Sequence, residues 1–288
     1  MKTIKNLVTS MRVQQWVKNL LVFAALFFQP AVTGTVPVLK VVLTFLSFCF
    51  VSSGVYIIND IFDKDKDCFH PEKCKRPIAS GEIKISTALI GAFFLFIMGF
   101  AIASWLGKPI SIILGMYLTM NLAYSAYFKN IVILDAFFVA FGFVLRVVGG
   151  AEVISAPISF WIVLCTILAS LFLTFSKRRH ELTNLQNAEE HRSSLAAYDP
   201  YYLDQMIAVV TAGTIIAYAL WTRDPETIQK FGSHLTLTIP FVFYGIFRYL
   251  YIIHRKGLGG DPTKLFLTDV PLILNLLLWA ITVVLILY

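Results

Sequence analysis

Residues 41–67 read VVLTFLSFCFVSSGVYIINDIFDKDKD, a charge-free, mostly apolar stretch that runs into Asn59 and then Asp60, Asp63, Asp65 and Asp67. A helix needs about 20 mainly apolar residues to cross a bilayer, and this segment supplies them. Working outward from it, runs of the same kind are read at about 17–34, 37–57, 85–107, 109–128, 131–150, 156–176, 205–222, 236–254 and 270–288. The whole chain agrees: 58% of its 288 residues are hydrophobic, 14% are charged and the mean hydropathy is +0.75. Soluble domains carry about 25% charged residues. In hydrocarbon every backbone polar group must be satisfied internally, and these runs are too long and evenly apolar for barrel strands. The expectation is an all-α bundle of nine transmembrane helices, forming a single domain over residues 1–288.

The basic residues set an expected orientation. They crowd into alternate segments: the N-terminal segment with Lys2, Lys5, Arg12 and Lys18; the 58–84 loop; the turn at Lys129; the 177–204 loop, which includes Arg192; and the 255–269 loop. Only Lys40, Lys108, Arg223 and Lys230 fall on the other side. Basic loops stay cytoplasmic, so the N-terminus is expected inside, the C-terminus outside, and the number of spans odd. The protein is thus expected in the cell (inner) membrane. The loops at about 58–84 and 177–204 would then form a cytoplasmic cap. This bias accounts for most of the net charge of +7 without a nucleic-acid partner. No cleavable signal peptide is read at the start. Cys68 and Cys74 lack zinc-site spacing, so the cysteines are expected as free thiols.

Asn59, Asp60, Asp63 and Asp67 have the form NDxxDxxxD. At 100° per residue the three aspartates share one helical face within about 60°, while Asp65 points elsewhere. Like charges on one face repel unless a cation lies among them, and polar groups at a span end tend to be functional. Oxygen ligands of this kind suit Mg²⁺, which binds through a few carboxylates plus substrate phosphates. Just downstream, Lys75 and Arg76 precede Pro77 and are candidates for phosphate oxygens.

Further polar groups interrupt the apolar runs. Asp135, Gly142, Arg146 and Gly149 fall on one face of the fifth run, and charges at such depth face a bundle interior or cavity. Tyr124 and Lys129 end the fourth run and together could close over a phosphate. Lys177 and Arg178 are each spaced to pair with Glu181. Arg248 lies between Tyr244 and Tyr251. The five histidines have no metal-ligand spacing.

At these residues the chain resembles the UbiA superfamily of intramembrane prenyltransferases, whose acidic motif NDxxDxxxD matches Asn59, Asp60, Asp63 and Asp67. The resemblance implies a nine-helix bundle in which Mg²⁺ binds a diphosphate leaving group above a lipid-filled cavity. MRVQQWVKNLLVFAALFF at 11–28, KRPIASGEI at 75–83, YSAYFKNIVILD at 124–135, GFVLRVVGGA at 142–151 and SKRRHE at 176–181 are similar to the branch that transfers a phosphoribosyl group to decaprenyl phosphate. The chain departs from ordinary prenyltransferases after the sixth run. The DxxxD motif expected there is replaced by Glu181, Asp199 and Asp204 at the wrong spacing, beside the basic Lys177–Arg179.

The resemblance therefore implies transfer from phosphoribosyl diphosphate to a polyprenyl phosphate, with Mg²⁺ held by Asp60, Asp63 and Asp67 beside Asn59. Candidate donor ligands are Lys75, Arg76 and Lys129, assisted by Tyr124. Lys18 is the candidate for the acceptor phosphate, and Asp135, Arg146, Lys177 and Arg178 are further candidates for substrate contacts. Prenylation of an aromatic acceptor from a polyprenyl diphosphate is the rival enzyme reading, and lipid or ion transport is the rival outside enzymes. The oligomeric state stays open.

Overall fold

The computed structural model describes residues 2–29, 34–69, 73–184, 195 and 197–287. The expected cap loop at 177–204 falls partly outside these residues, as do His191 and Arg192. The chain divides at Ile158/Ser159 into two compact units. Among the described residues every regular element is a helix or 3₁₀ turn.

Among the described residues, eight helical segments are long and apolar enough to cross a membrane. The ninth expected span, 17–34, takes a different form. Residues Val13–Phe23 make a 3₁₀ segment, Ala24–Phe27 a short α-helix, and residues 30–33 lie outside the described residues. The side chains explain the difference. Trp16 donates from Nε1 to Ser53 Oγ (3.0 Å), and Asn19 Nδ2 donates to Cys49 Sγ (3.2 Å) and Ser52 Oγ (3.3 Å). Polar hooks of this kind fasten the segment sideways onto its neighbour. Runs of 3₁₀ helix this long are uncommon and mark local constraint.

In the first unit the helices are α1 (Lys2–Ser10), α2 (Thr35–Phe62), α3 (Ile85–Leu106), α4 (Lys108–Ala126) and α5 (Leu134–Val153). α2 is the central element. At 28 residues it is about 42 Å long, more than a hydrocarbon core requires. Small residues let α3 approach α2 closely, the usual device where lipid removes the hydrophobic drive between helices. Ser47 Oγ donates to the Gly99 carbonyl (2.7 Å), and a Cβ on Gly99 would meet Val51 Cγ2 at 2.6 Å. Val22, Phe48, Val51, Leu114 and Tyr117 form the buried apolar core. Gly107, at φ +130°, lets the chain reverse between α3 and α4.

The second unit contains α6 (Phe160–Asn184), α7 (Pro200–Arg223), α8 (Ile239–Lys256) and α9 (Val270–Leu287). Buried hydrogen bonds pin it: Tyr218 OH lies 2.7 Å from Thr238 Oγ1 and accepts from Trp279 Nε1 at 2.9 Å. Arg248 holds Asp269 with two bonds of 3.0 and 2.9 Å. These bonds keep the Asp269 carboxyl below the usual carboxylate range, aided by the Leu272 amide. Arg248 is thereby an ion-pair partner between Asp269 and the Tyr251 ring.

Candidate functional site

The acidic motif sits where α2 ends. The helix stops at Phe62, Asp63 takes φ −94° and ψ 3°, and a separate turn of helix covers Lys64–Cys68. The expected single helical face is therefore interrupted, and the three aspartates divide between two clusters. Asp60 (2% exposed) and Asp67 (4%) meet: Arg76 Nη1 donates to Asp60 Oδ1 at 3.0 Å and to Asp67 Oδ2 at 2.5 Å. Arg12 also pairs with Asp60 Oδ1. Asp63 turns elsewhere, accepting from Lys129 Nζ (2.5 Å) and Asn59 Nδ2 (3.1 Å). Asp65 is exposed. Cations do lie among these carboxylates, as their mutual repulsion requires, and here they are side chains.

Arg76 is delivered by a rigid loop. Ser80 and Ile83 donate backbone bonds to Arg76 O (2.8 Å) and Pro77 O (3.0 Å), and Gly81 supplies the positive φ. Ile78 and Ile83 plug into a buried cluster with Ile57, Ala88 and Ala92. The PIASGEI stretch is thus an anchored bracket. Lys75, one residue before Arg76, is exposed on the 3₁₀ turn Lys73–Lys75.

Two oxygens from different carboxylates converging on one guanidinium nitrogen form the kind of donor set that can instead converge on a cation. Among the described residues no three Asp, Glu, His or Cys side chains gather closely enough to enclose a metal by themselves. A pair of carboxylates suits Mg²⁺, which commonly takes one or two with the remaining positions left to water and substrate phosphate. The residues fit that ion at Asp60 and Asp67, with Asp63 engaged by Lys129.

The other expected residues have definite places. Tyr124 stacks on Phe138, which also stacks on Phe128 at 4.2 Å, so the end of α4 is an aromatic wall. Asp135 is fully buried at the start of α5. Lys18 is half-buried on the 3₁₀ segment, next to Asn19. Arg146, 5% exposed, donates to Asn19 Oδ1 (2.6 Å), Gly142 O (2.7 Å) and Tyr117 OH (2.8 Å), and lies 4.7 Å from the Tyr117 ring centroid. These contacts make it a tie between α5, α4 and the 3₁₀ segment. In the second unit Arg178, 3% exposed, binds Glu181 at 2.7 Å and Lys177 approaches it at 3.7 Å. Arg179 binds Asp204 with two bonds.

Arg12 and Tyr117 are the site and support residues that sequence reasoning did not single out, while Asn19 belongs to the N-terminal signature read with Trp16 and Lys18. Arg12 read as one more cytoplasmic charge. Its place at the end of an amphipathic stretch just before WVKN was the available signal.

A family-level match to the UbiA prenyltransferase family covers residues 20–268. The chain is 31% identical to decaprenyl-phosphate phosphoribosyltransferase of Mycolicibacterium smegmatis, over 97% of this chain and 92% of the relative. It is 29% identical to the protein of that name from Corynebacterium glutamicum, over 98% and 86%. Its fold is similar to a UbiA homologue from Archaeoglobus fulgidus solved bound to GPP and Mg²⁺, with a TM-score of 0.75, 18% identity, and coverage of 98% of this chain and 99% of that one. With its family match over most of its length and a relative above 30% identity across nearly all of it, the chain belongs to the UbiA prenyltransferase family.

Proposed function

We propose that this protein transfers a 5-phosphoribosyl group from phosphoribosyl diphosphate to a polyprenyl phosphate, releasing diphosphate. The observation that carries the proposal is the clustering of Arg12, Arg76 and Lys129 on three aspartates at the end of α2. The names of the mycobacterial and corynebacterial relatives support the choice of donor and acceptor. We assign the activity to the whole chain, in the cell membrane with the site on the cytoplasmic face and the N-terminus inside.

Mg²⁺, held by Asp60 and Asp67, would neutralise the charge that grows on the departing diphosphate. Arg76 is anchored beside both carboxylates and so reaches an oxygen of the same diphosphate. Lys129, oriented by Asp63 and Asn59, and the exposed Lys75 serve further donor phosphates, with Tyr124 at the rim. As the C1–O bond to diphosphate breaks, the ribosyl C1 becomes oxocarbenium-like. The lipid phosphate, already ionised, forms the new C1–O bond from the opposite face and needs little base catalysis. Positioning therefore supplies most of the rate. Lys18 is our candidate for the acceptor phosphate, and Lys177 and Arg178 are candidates for further anion contacts. Asp135 stays a candidate for a substrate contact, and Arg146 acts by holding α5 in place.

Purified protein supplied with Mg²⁺ should release diphosphate from phosphoribosyl diphosphate when polyprenyl phosphate is present. Release that requires a polyprenyl diphosphate and an aromatic acid instead would reject the assignment in favour of aromatic prenylation. Unaltered substrate carried across vesicles would mean transport. Lys129→Met should raise the KM for the donor roughly 10–100-fold, the cost of one charge-assisted phosphate contact, with a smaller change in kcat. An unchanged KM would remove Lys129 from the donor site.

A further inference from the structure

α1 is fastened beside the acidic site through its inner face. Asn6 Nδ2 donates to Glu82 Oε2 (2.9 Å), which lies on the loop that carries Arg76. Leu7 packs against Gly91, and Leu7 and Met11 cover the cluster of Ile57, Ile78 and Ile83 beneath that loop. The outer face, with Lys5 and Val8, is exposed. α1 thus lies across the end of α2 and the anchored loop. Arg12 follows immediately.

Arg12 is a joint as well as a charge. It takes φ 50° and ψ 53°, a conformation that non-glycine residues seldom adopt, between α1 and the 3₁₀ segment. Its guanidinium pairs with Asp60 and lies 5.2 Å from the Tyr56 ring centroid. Asp60 therefore carries two guanidinium partners, and they differ. Arg76 is also bound to Asp67 and sits on an anchored loop. Arg12 has Asp60 as its acidic partner and hangs from a one-residue joint.

Asp60, Asp67, Arg12 and Arg76 together are electrically neutral. A divalent cation brought to Asp60 competes with Arg12 for the same oxygen, and like charge repels the guanidinium. The diphosphate that accompanies the metal offers Arg12 a new anionic partner in bidentate geometry.

We propose that Arg12 exchanges Asp60 for a diphosphate oxygen when donor and metal bind, so that α1 and its joint form the lid of the donor site. The proposal rests on the metal–diphosphate reading of Asp60 and Asp67 given above. It assigns a substrate contact to a residue that precedes the family-matched segment.

Full-length protein can be titrated with Mn²⁺, read by electron paramagnetic resonance, and with inorganic diphosphate in saturating Mn²⁺, read by calorimetry. Arg12→Met should bind Mn²⁺ alone about tenfold more tightly than wild type, because the competing cation is gone. It should bind diphosphate about tenfold more weakly, because a ligand is gone. Arg12→Lys should recover part of the diphosphate affinity. Opposite shifts of the two constants are not expected of a residue that merely holds the fold. Wild-type affinities in a folded Arg12→Met protein would overturn the Arg12 assignment alone, as would weakening of both constants together. Absence of Mn²⁺-dependent diphosphate binding in the wild type would overturn the underlying metal–diphosphate reading too.

Discussion

Asp60→Asn should reduce diphosphate release by at least about 10³-fold while Asp65→Asn stays within about threefold of wild type. The two residues lie in the same acidic stretch and differ in what surrounds them. Asp60 is 2% exposed, with Arg12 and Arg76 on its oxygens; Asp65 is exposed on the short helix that follows. Asparagine preserves the shape of the Asp60 side chain and removes its charge, so the metal loses an anionic ligand. A 10³-fold loss corresponds to about 4 kcal/mol of transition-state stabilisation, within the range found when one preorganised charge contact is removed from a site closed to water. The bundle should remain folded, since Arg76 keeps its bond to Asp67. Asp63→Asn should fall between the two, by releasing Lys129 rather than a metal ligand. Steady-state rates with the melting temperature measured in parallel provide the check. Equal losses at positions 60 and 65 would show that the carboxylates act as a diffuse charge.

How far the site could be read from sequence follows from where the chain is regular. The motif spacing identified Asp60, Asp63 and Asp67, because NDxxDxxxD is a local pattern. It could not show that α2 stops at Phe62, since nothing in NDIFDKDKD is a strong helix breaker: no proline or glycine stands there. The stop comes with tertiary contacts. Lys129, 66 residues away, draws Asp63, while Arg76 gathers Asp60 and Asp67. Arg12 received no site role from the sequence for the same reason. Its partner is 48 residues distant, and on a cytoplasmic segment a basic residue is what topology alone supplies.

The spans were more legible, because hydropathy over some twenty residues is insensitive to single positions. Among the described residues, eight of the nine expected runs correspond to helices long enough to cross. The run at 17–34 carries the apolar stretch LLVFAALFF, yet hydrogen-bonding residues, Trp16 just before it and Asn19 within it, decide its form. They seek Ser53, Cys49 and Ser52 on α2, and Arg146 then seeks Asn19 from α5. Averaged hydropathy cannot register such pairings. The buried Arg146 illustrates the complementary point. From sequence it marked a cavity-facing charge, whereas its partners are neutral oxygens and an aromatic face that fix three elements together. Hydrogen bonding that complete is what burial of a guanidinium requires.

The same junction yields the largest expected effect on stability. Gly150→Ala should lower the melting temperature in detergent by about 6–10 °C and reduce the yield of monodisperse protein. A Cβ built on Gly150 lies 1.8 Å from the backbone carbonyl oxygen of Val22 and 2.7 Å from its carbonyl carbon. No rotamer relieves that overlap, because the obstacle is main chain. Val22 is itself fully buried in the core with Phe48, Leu114 and Tyr117, so the 3₁₀ segment can withdraw only by opening this packing. Overpacking of a well-filled core costs about 1–3 kcal/mol, and more where backbone must move. Withdrawal would also stretch the Asn19–Arg146 bond, which spans the same gap. Two other helical glycines isolate the cause. Gly115→Ala meets nothing within 4 Å and should leave the melting temperature unchanged or slightly raised, through better helix propensity. Gly142→Ala meets the flexible end of Met120 at 3.3 Å and should cost little. If all three alanines behaved alike, close docking of α5 on the 3₁₀ segment would be refuted, and with it the argument that an apolar N-terminal run is held here as a fastened strap.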